Sequence, residues 1–196
     1  MNIFAVNADP RLSAIDLCDK HVVKMILETT QILCTAHRVL DGLETQAESE
    51  SGRSRKEWIL QDPYFNSALY AASYVNHPCT VWARENSENY NWLLTHGFEL
   101  VSEYNNRFGQ DKVHKCSLVL NLLKQAPKNI KIASRTNFAQ AMPDRYRQTD
   151  SVDAYRNYYA MVKFMGGVAK WNKSSPRPTW VMEHVNEWIK MHRSNL

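Results

Sequence analysis

The amino-acid sequence predicts an all-α fold: a compact single-domain helical bundle with a long ordered loop, spanning residues 1–196. Apolar residues recur at steps of three, four and seven over most of the chain, which is typical of amphipathic helices. The 6 glycines and 7 prolines are few for 196 residues and disfavour a turn-rich β-sandwich or barrel. Residues 125–150 hold two prolines without a clear period, which predicts the loop, and long loops in compact domains often carry function.

Helix boundaries follow from capping and breaking residues. Asp9 and Pro10 have the order of an N-cap and a first helical residue. From there the helical pattern continues to Gly42, with a break near residues 17–20 as an open alternative. Residues 44–56 are polar without an apolar period, so they predict an exposed, mobile loop. The remaining helices are predicted at 57–75, 79–106, 111–124, 151–165 and 179–192.

Composition excludes several classes of protein. No apolar run approaches the roughly 20 residues that cross a bilayer, and the first ten residues do not form a signal peptide. The four cysteines form no C-x-x-C pair, so we expect buried, reduced thiols in a cytoplasmic protein. There is no glycine-rich phosphate loop, and the histidines lack metal-ligand spacing. No cofactor and no metal are therefore expected.

The net charge of +4 is unevenly distributed. Residues 1–98 hold 8 basic and 12 acidic side chains, which gives −4, whereas residues 99–196 hold 16 and 8, which gives +8. Aromatic residues lie among the cations of the loop, a pattern that suits phosphate contact and base stacking. The alternative is a solvated loop whose apolar residues dock it on the core. The candidate nucleic-acid-binding cations there are Lys124, Lys128, Lys131, Arg135, Arg145 and Arg147.

A polar row on the first long helix is the candidate catalytic site. Steps of three and four residues carry His21, Lys24 and Glu28 through about 700°, close to two full turns, so they share one side. Gln31 extends the row. Grouped acid and base side chains near a basic surface could serve acid–base chemistry. The alternative is a solvated face with a weak Lys24–Glu28 pair.

Two motifs resemble the pyrimidine-dimer DNA glycosylase family, which consists of small helical enzymes. The first is Asp19-Lys20-His21, six residues and then Glu28, which is similar to the family's Asp-x-His, six residues and catalytic Glu. The second is Arg177-Pro178-Thr179-Trp180 near the end of the chain. The chain also resembles a set of bacteriophage proteins that begin MNIF and carry CDKHVVKM.

The resemblance implies a specific chemistry. In the family, the free α-amino group at the N-terminus attacks C1′ of the damaged nucleotide, a Schiff base forms, and β-elimination cuts the strand. Transferred to this sequence, Glu28 is the catalytic carboxylate and His21 supports the site. In the basic half of the chain, Arg177, placed by the packing residue Trp180, is a further candidate DNA contact. The family exposes a Thr amine after loss of Met, but residue 2 here is Asn, so we expect the amine of Met1. The family has one arginine immediately before this Glu and another three residues after it. In this sequence those positions are Leu27 and Gln31.

The predicted function is a DNA N-glycosylase, with AP-lyase activity as an additional expectation, acting on a damaged or modified base. Two alternatives stay open: a phage enzyme that modifies DNA bases or processes nucleotides on the same scaffold, and a non-catalytic nucleic-acid-binding protein. Double-stranded DNA is the expected partner of a monomer in the cytoplasm of a phage-infected host cell, with Lys24 and Gln31 as further DNA contacts beside the loop cations.

Overall fold

The computed structural model describes residues 1–48, 52 and 54–193. The described residues are predominantly helical, as predicted, but they also contain one two-stranded sheet that an all-α fold lacks. The elements in chain order are α1 (Pro10–Asp16), α2 (Asp19–Asp41), β1 (Leu43–Glu48), β2 (Ser54–Ile59), α3 (Pro63–Ala68), α4 (Pro78–Glu85), α5 (Ser87–Phe108), α6 (Ser117–Leu122), a 3-10 turn (Asp144–Tyr146), α7 (Ser151–Tyr158), a π-helical segment (Tyr159–Phe164) and α8 (Thr179–Arg193).

The first helical stretch follows its capping signals. The Asp9 carboxylate accepts from the backbone N–H groups of Arg11 and Leu12, and Pro10 is the first helical residue. The chain is extended at residues 17 and 18, so the stretch is divided into α1 and α2 at the predicted break. α2 ends at Gly42, as its sequence indicates. α2 is consequently one unbroken helix of 23 residues from Asp19 onward.

The prediction of a loop at residues 44–56 is wrong, because strands β1 and β2 form an antiparallel hairpin there. Its register pairs Leu43 with Ile59 and Glu48 with Ser54, while residues 49–51 and 53 lie outside the described part. Along β1 the side chains alternate between exposed and half-buried rather than between exposed and buried. Such alternation leaves no apolar period, so a search for hydrophobic periodicity misses the strands.

The helix predicted at residues 57–75 is wrong over most of its length. Residues 57–59 belong to β2, and α3 covers only Pro63–Ala68. The Asp62 carboxylate accepts from the N–H groups of Tyr64 and Phe65, so an N-cap starts the helix later than the apolar pattern suggests. Likewise, only Ser117–Leu122 is α-helical within the predicted helix 111–124.

The long helix predicted at 79–106 consists of α4 and α5, separated by Asn86. Asn86 has extended backbone dihedrals, and its side-chain oxygen accepts from the Asn89 N–H at 2.9 Å, which caps α5. Within α5, Gly97 faces α2: a Cβ atom there would lie 2.9 Å from Thr29 Cγ2. The glycine is therefore explained by the close approach of α5 to α2.

Residues 125–150 form a loop with one 3-10 turn, as predicted. Phe138 and Met142 are 4% and 6% exposed, and they dock the loop on the core. The Phe138 ring lies 4.6 Å from Trp92 and 5.4 Å from Trp82 between ring centroids. Phe138 and Met142 are therefore packing residues, while the five candidate cations within the loop, and Lys124 just before it, are exposed.

One buried cluster of apolar residues includes residues of the N-terminal segment, α2, α5, α7 and α8. All four cysteines are free and buried, as predicted. Within the described residues, no helix is long and apolar enough to cross a membrane.

Arg38 of α2 attaches the hairpin and α3 to this core. Its buried guanidinium donates five hydrogen bonds, all to oxygen atoms of the segment that follows β1. The acceptors are the carbonyls of Trp58, Asn66, Leu69 and Tyr70 and the Asn66 side chain. Because these carbonyls are turned inward, Arg38 satisfies groups that would otherwise be buried without partners.

We predict that Arg38→Met lowers the free energy of unfolding by roughly 3 kcal/mol, since several carbonyls lose their donor while the aliphatic stem remains. Arg55→Met, on the exposed surface of β2, is the control and should change stability by less than about 0.5 kcal/mol. Urea unfolding followed by tryptophan fluorescence measures both. Equal midpoints for the two variants would contradict the structural role of Arg38.

Candidate active site

The Glu28 carboxylate lies between the start of the chain and a lysine of its own helix. Its Oε2 atom accepts from the Asn2 backbone N–H at 2.8 Å, and its Oε1 atom lies 2.9 Å from Lys24 Nζ. The side chain is 12% exposed. Both oxygens are thus held in place, while the group keeps access to solvent and to a bound molecule.

The N-terminal segment is fixed by its own side chains. The Asn2 side-chain oxygen accepts from the N–H groups of Ile3 and Phe4, and the Asn2 amide nitrogen donates to the Ala141 carbonyl at 2.9 Å. Residues 3–6 are buried. Phe4 has a φ of +40°, a strained value for a residue with a side chain, which persists where the surrounding structure enforces it.

The α-amino group of Met1 lies close to Glu28. Three covalent bonds, about 4.3 Å in total, separate this nitrogen from the Asn2 nitrogen, so it lies within about 7 Å of Glu28 Oε2. The Met1 side chain extends over α4, where Thr80 Oγ1 donates to its sulfur at 3.8 Å. An amine and a carboxylate are thereby placed in one site.

His77 is the third titratable group here, and sequence reasoning missed it. It caps α4, since the Cys79 N–H donates to its Nδ1 atom at 3.2 Å, so the proton of the neutral ring is on Nε2. Burial and then the Met1 amine lower the pKa of His77, against an opposing effect of Glu28. His77 is 49 residues from Glu28, so no helical spacing could connect them.

His21 packs against the N-terminal segment. It is 4% exposed, its ring is stacked on Phe4 at 4.7 Å, and its Nδ1 atom is 2.6 Å from the Tyr159 hydroxyl oxygen. Burial first, then Lys163, Lys24 and Lys20, lower its pKa to about 4, so the ring is neutral at pH 7. The alternative of a wholly solvated helix face is therefore wrong, because the N-terminal segment covers His21.

The predicted DNA contacts lie in different places. Lys24 adjoins Glu28, and Gln31 is half-buried one turn further along α2. Arg145 lies over the Tyr146 ring at 4.9 Å, and Tyr146 reaches the N-terminal segment through Tyr158, which is stacked 6.5 Å from Phe4. Arg145 is therefore connected to the N-terminal segment only through two intervening tyrosine rings.

Lys124 and Lys128 lie at the other end of α2. The backbone N–H of Lys128 donates to the Asp41 carboxylate at 2.7 Å, and Asp41 is 13 residues, or about 20 Å, from Glu28 along the helix. Lys124 lies over the Phe98 ring at 5.0 Å. The structure does not gather these two cations around Glu28.

The other predicted cations have separate partners. The carbonyl of Lys131 accepts from the Ser87 N–H, and Arg135 lies over the Phe138 ring at 4.6 Å. Arg147 pairs with Asp144 at 3.0 Å. Arg177 lies over the Phe164 ring at 5.0 Å, beyond the π-helical segment.

A cavity of about 310 Å³ also lies at the Asp41 end of α2, lined by residues that include His37, Phe65 and Lys128. Two of its polar groups already have partners: His37 Nε2 is 2.9 Å from the Tyr90 hydroxyl, and the Asp41 carboxylate accepts from the Lys128 N–H. None of the predicted catalytic residues lines it. Among the described residues, no group of three or more His, Cys, Asp or Glu side chains could hold a metal ion.

These contacts define a helical protein in which a carboxylate on a long helix holds the start of the chain. Residues 1–115 match the model of the family described as pyrimidine dimer DNA glycosylase. The match covers more than half of the chain and includes Met1, Glu28 and His77, so the protein belongs to this family. Membership implies DNA glycosylase function and DNA binding at family level. Searches of curated proteins and of solved structures found no match.

The lowered pKa of His21 predicts loss of stability in acid. The unfolded chain takes up a proton near pH 6.5 and the folded protein only near pH 4, so stability is complete above 6.5 and falls between these values. This component amounts to about 3 kcal/mol, and we expect His21→Gln to lose it. Urea unfolding at pH 7 and pH 4.5 measures the difference. The exposed His192→Gln is the control, and a wild-type pH dependence in His21→Gln would contradict the assignment.

Proposed function

We propose that the protein is a DNA N-glycosylase with AP-lyase activity, which acts on a damaged or modified base through the α-amine of Met1. The observation that carries the proposal is the hydrogen bond from the Asn2 N–H to Glu28 Oε2. It lies inside the family match and sets the terminal amine within about 7 Å of a carboxylate. Schiff-base chemistry needs such a nucleophile beside a group that accepts protons.

The first step is displacement of the base. The lone pair of the neutral Met1 amine forms a bond to C1′, the bond from C1′ to the base breaks, and its electron pair leaves with the base, which takes up a proton. Positive charge develops on the sugar in the transition state. The Glu28 carboxylate, held on both oxygens, stabilises this charge without having to reorient.

The second step cuts the strand. The ring C1′–O4′ bond opens as the nitrogen lone pair forms the iminium, and O4′ takes up the proton that the nitrogen gives to Glu28. The Glu28 carboxylate, deprotonated again once O4′ has taken that proton, removes a proton from C2′, which forms the C1′=C2′ double bond of a neutral enamine. Reformation of the iminium places the double bond between C2′ and C3′, and the C3′–O bond breaks with its electron pair leaving on the phosphate. Water hydrolyses the imine and restores the amine.

His77 and Lys24 complete the proposed site. Because His77 is kept neutral, the amine faces no additional positive charge from it, and the Nε2–H group can donate to an oxygen of the substrate. Lys24 is 58% exposed, so it can hold Glu28 and still contact a phosphate. Cys79 does not compete as a nucleophile, because burial raises the pKa of its thiol to about 12.

DNA contacts by Gln31, Arg145 and Arg177 are part of this proposal. Contacts by the other loop cations remain predictions, as do a monomeric state, a preference for duplex DNA and action in the cytoplasm of a phage-infected cell. These cations are Lys124, Lys128, Lys131, Arg135 and Arg147.

We expect Glu28→Gln to lower single-turnover incision of lesion-bearing DNA by at least 100-fold, because the amide keeps the shape but loses the charge and the proton acceptor. DNA affinity should change little, so the loss appears in the rate and not in the dissociation constant. Glu88→Gln, an exposed residue in the first turn of α5, is the control. A Glu28→Gln enzyme that incises at the wild-type rate would refute the catalytic role.

Addition of a Gly-Ser dipeptide before Met1 tests the amine. The new amine lies up to about 7 Å further from Glu28, and the Met1 nitrogen becomes a non-nucleophilic amide. We expect strand incision and borohydride trapping to disappear while DNA binding persists. The same dipeptide after Leu196 is the matched control. Full lyase activity of the N-terminally extended protein would exclude the amine as nucleophile.

A further inference from the structure

The C-terminal part of the chain contains a basic surface that lies outside the family match. Residues 154–182 include five basic side chains and no acidic one. Four of these cations lie with two aromatic residues on the π-helical segment and the loop that follows it. We call this the 163–177 surface, and it consists of Lys163, Phe164, Lys170, Trp171, Lys173 and Arg177.

The aromatic residues of the surface orient its cations. The Arg177 guanidinium lies 5.0 Å from the Phe164 ring centre, and the Phe164 and Trp171 rings are 6.3 Å apart. Trp171 donates from Nε1 to the Asp16 carbonyl at 3.3 Å, which attaches it to the core. These residues, together with Lys170, line an open groove of about 500 Å³. A guanidinium held against a ring loses less freedom when it binds an anion than a free one does.

Lys163 connects this surface to the N-terminal segment. Its carbonyl accepts from the N–H groups of Val168 and Ala169, which closes the loop after the π-helical segment. Its Nζ atom lies 5.8 Å from the Phe4 ring and 5.1 Å from the Tyr158 ring. Phe4 is two residues from the nitrogen that binds Glu28, so the surface begins beside the proposed active site.

The loop also adjoins the first turn of α2. The Asp19 N–H donates to the Lys170 carbonyl at 3.1 Å, and the Asn172 N–H donates to the Asp19 carboxylate at 2.7 Å. Glu28 is nine residues, or about 14 Å, further along the helix. Lys173 lies over the Phe108 ring at 5.7 Å. The loop therefore packs against the first turn of α2, and Lys163 is the part of the surface that lies beside the N-terminal segment.

The cations of this surface are not neutralised by carboxylates. Across residues 1–48, 52 and 54–193, no ion pair involves Lys163, Lys170, Lys173 or Arg177, whereas Arg147 pairs with Asp144. The nearby Asp19 carboxylate is already occupied by Arg107 at 3.0 Å. Unpaired cations on an ordered surface attract a polyanion, and release of its counterions favours binding.

We infer that the 163–177 surface binds the phosphate backbone of DNA next to the nucleotide on which the enzyme acts. This inference rests on the proposed function, because it takes Glu28 as the point where the reacting nucleotide is held. Lys163, Lys170 and Arg177 contact successive phosphates, and the groove accommodates the strand. Residues within the family match then carry out the reaction, and residues beyond it contribute much of the binding affinity for DNA.

Binding of a 20-base-pair duplex with a central tetrahydrofuran abasic analogue tests the inference, since this analogue cannot form an imine. Fluorescence anisotropy at several NaCl concentrations gives the affinity and its salt dependence. We expect the double variant Lys170→Ala/Arg177→Ala to bind at least 10-fold more weakly at about 0.1 M salt. The plot of log K against log salt has a negative slope, and its magnitude should decrease by about 1.8 because two phosphate contacts are lost.

The charge-matched double variant Arg55→Ala/Lys56→Ala, on the exposed surface of β2, should change both quantities less. Circular dichroism confirms that each variant is folded. Wild-type affinity and slope in Lys170→Ala/Arg177→Ala would overturn the inference and the Arg177 contact, while leaving the proposed chemistry of Met1 and Glu28 intact. Absence of DNA binding by the wild-type protein at low salt would instead overturn the proposed function and the inference with it.

Discussion

The hydrogen bond from the Asn2 N–H to Glu28 Oε2 joins the start of the chain to the middle of α2, and the proposed site depends on it. A hydrogen bond to a charged group contributes roughly 1.5–3 kcal/mol, too little to hold a free terminus in place alone. The buried residues that follow, and the bond from Asn2 to the Ala141 carbonyl, provide the rest. The terminal amine is thus confined to within about 7 Å of the carboxylate, which lowers the entropy that the proposed reaction has to supply.

The acidic and basic halves of the chain occupy different places in this arrangement. The acidic first half contains Glu28 and His77, together with the segment that positions Met1. The basic second half covers that segment: Tyr159 contacts His21, and the loop with Ala141 holds Asn2. Of the cations in the second half, Lys163 lies beside that segment, whereas Lys124 and Lys128 do not. The proposed reaction, at a sugar between two phosphates, uses groups from both halves.

Local signals made part of the structure predictable, whereas long-range contacts did not. Glu28 and its helix followed from spacing and resemblance, because helical neighbours are close in sequence. The burial of His21 could not be predicted, since the covering Phe4 belongs to another segment. His77 reaches the site only through the packing of α4. The hairpin that includes Trp58 was missed because its two faces differ little in exposure, and its attachment depends on Arg38, which lies outside it.

Peptide mapping of the borohydride-reduced adduct tests directly whether the α-amine of Met1 is the nucleophile. The protein is incubated with a duplex that carries an abasic site, reduced, digested and analysed by tandem mass spectrometry. If the Met1 amine is the nucleophile, one adduct is expected, on the α-amine of the peptide that begins with Met1. An adduct on the side chain of Lys24 or Lys163, both of which lie near the N-terminal segment, would contradict it.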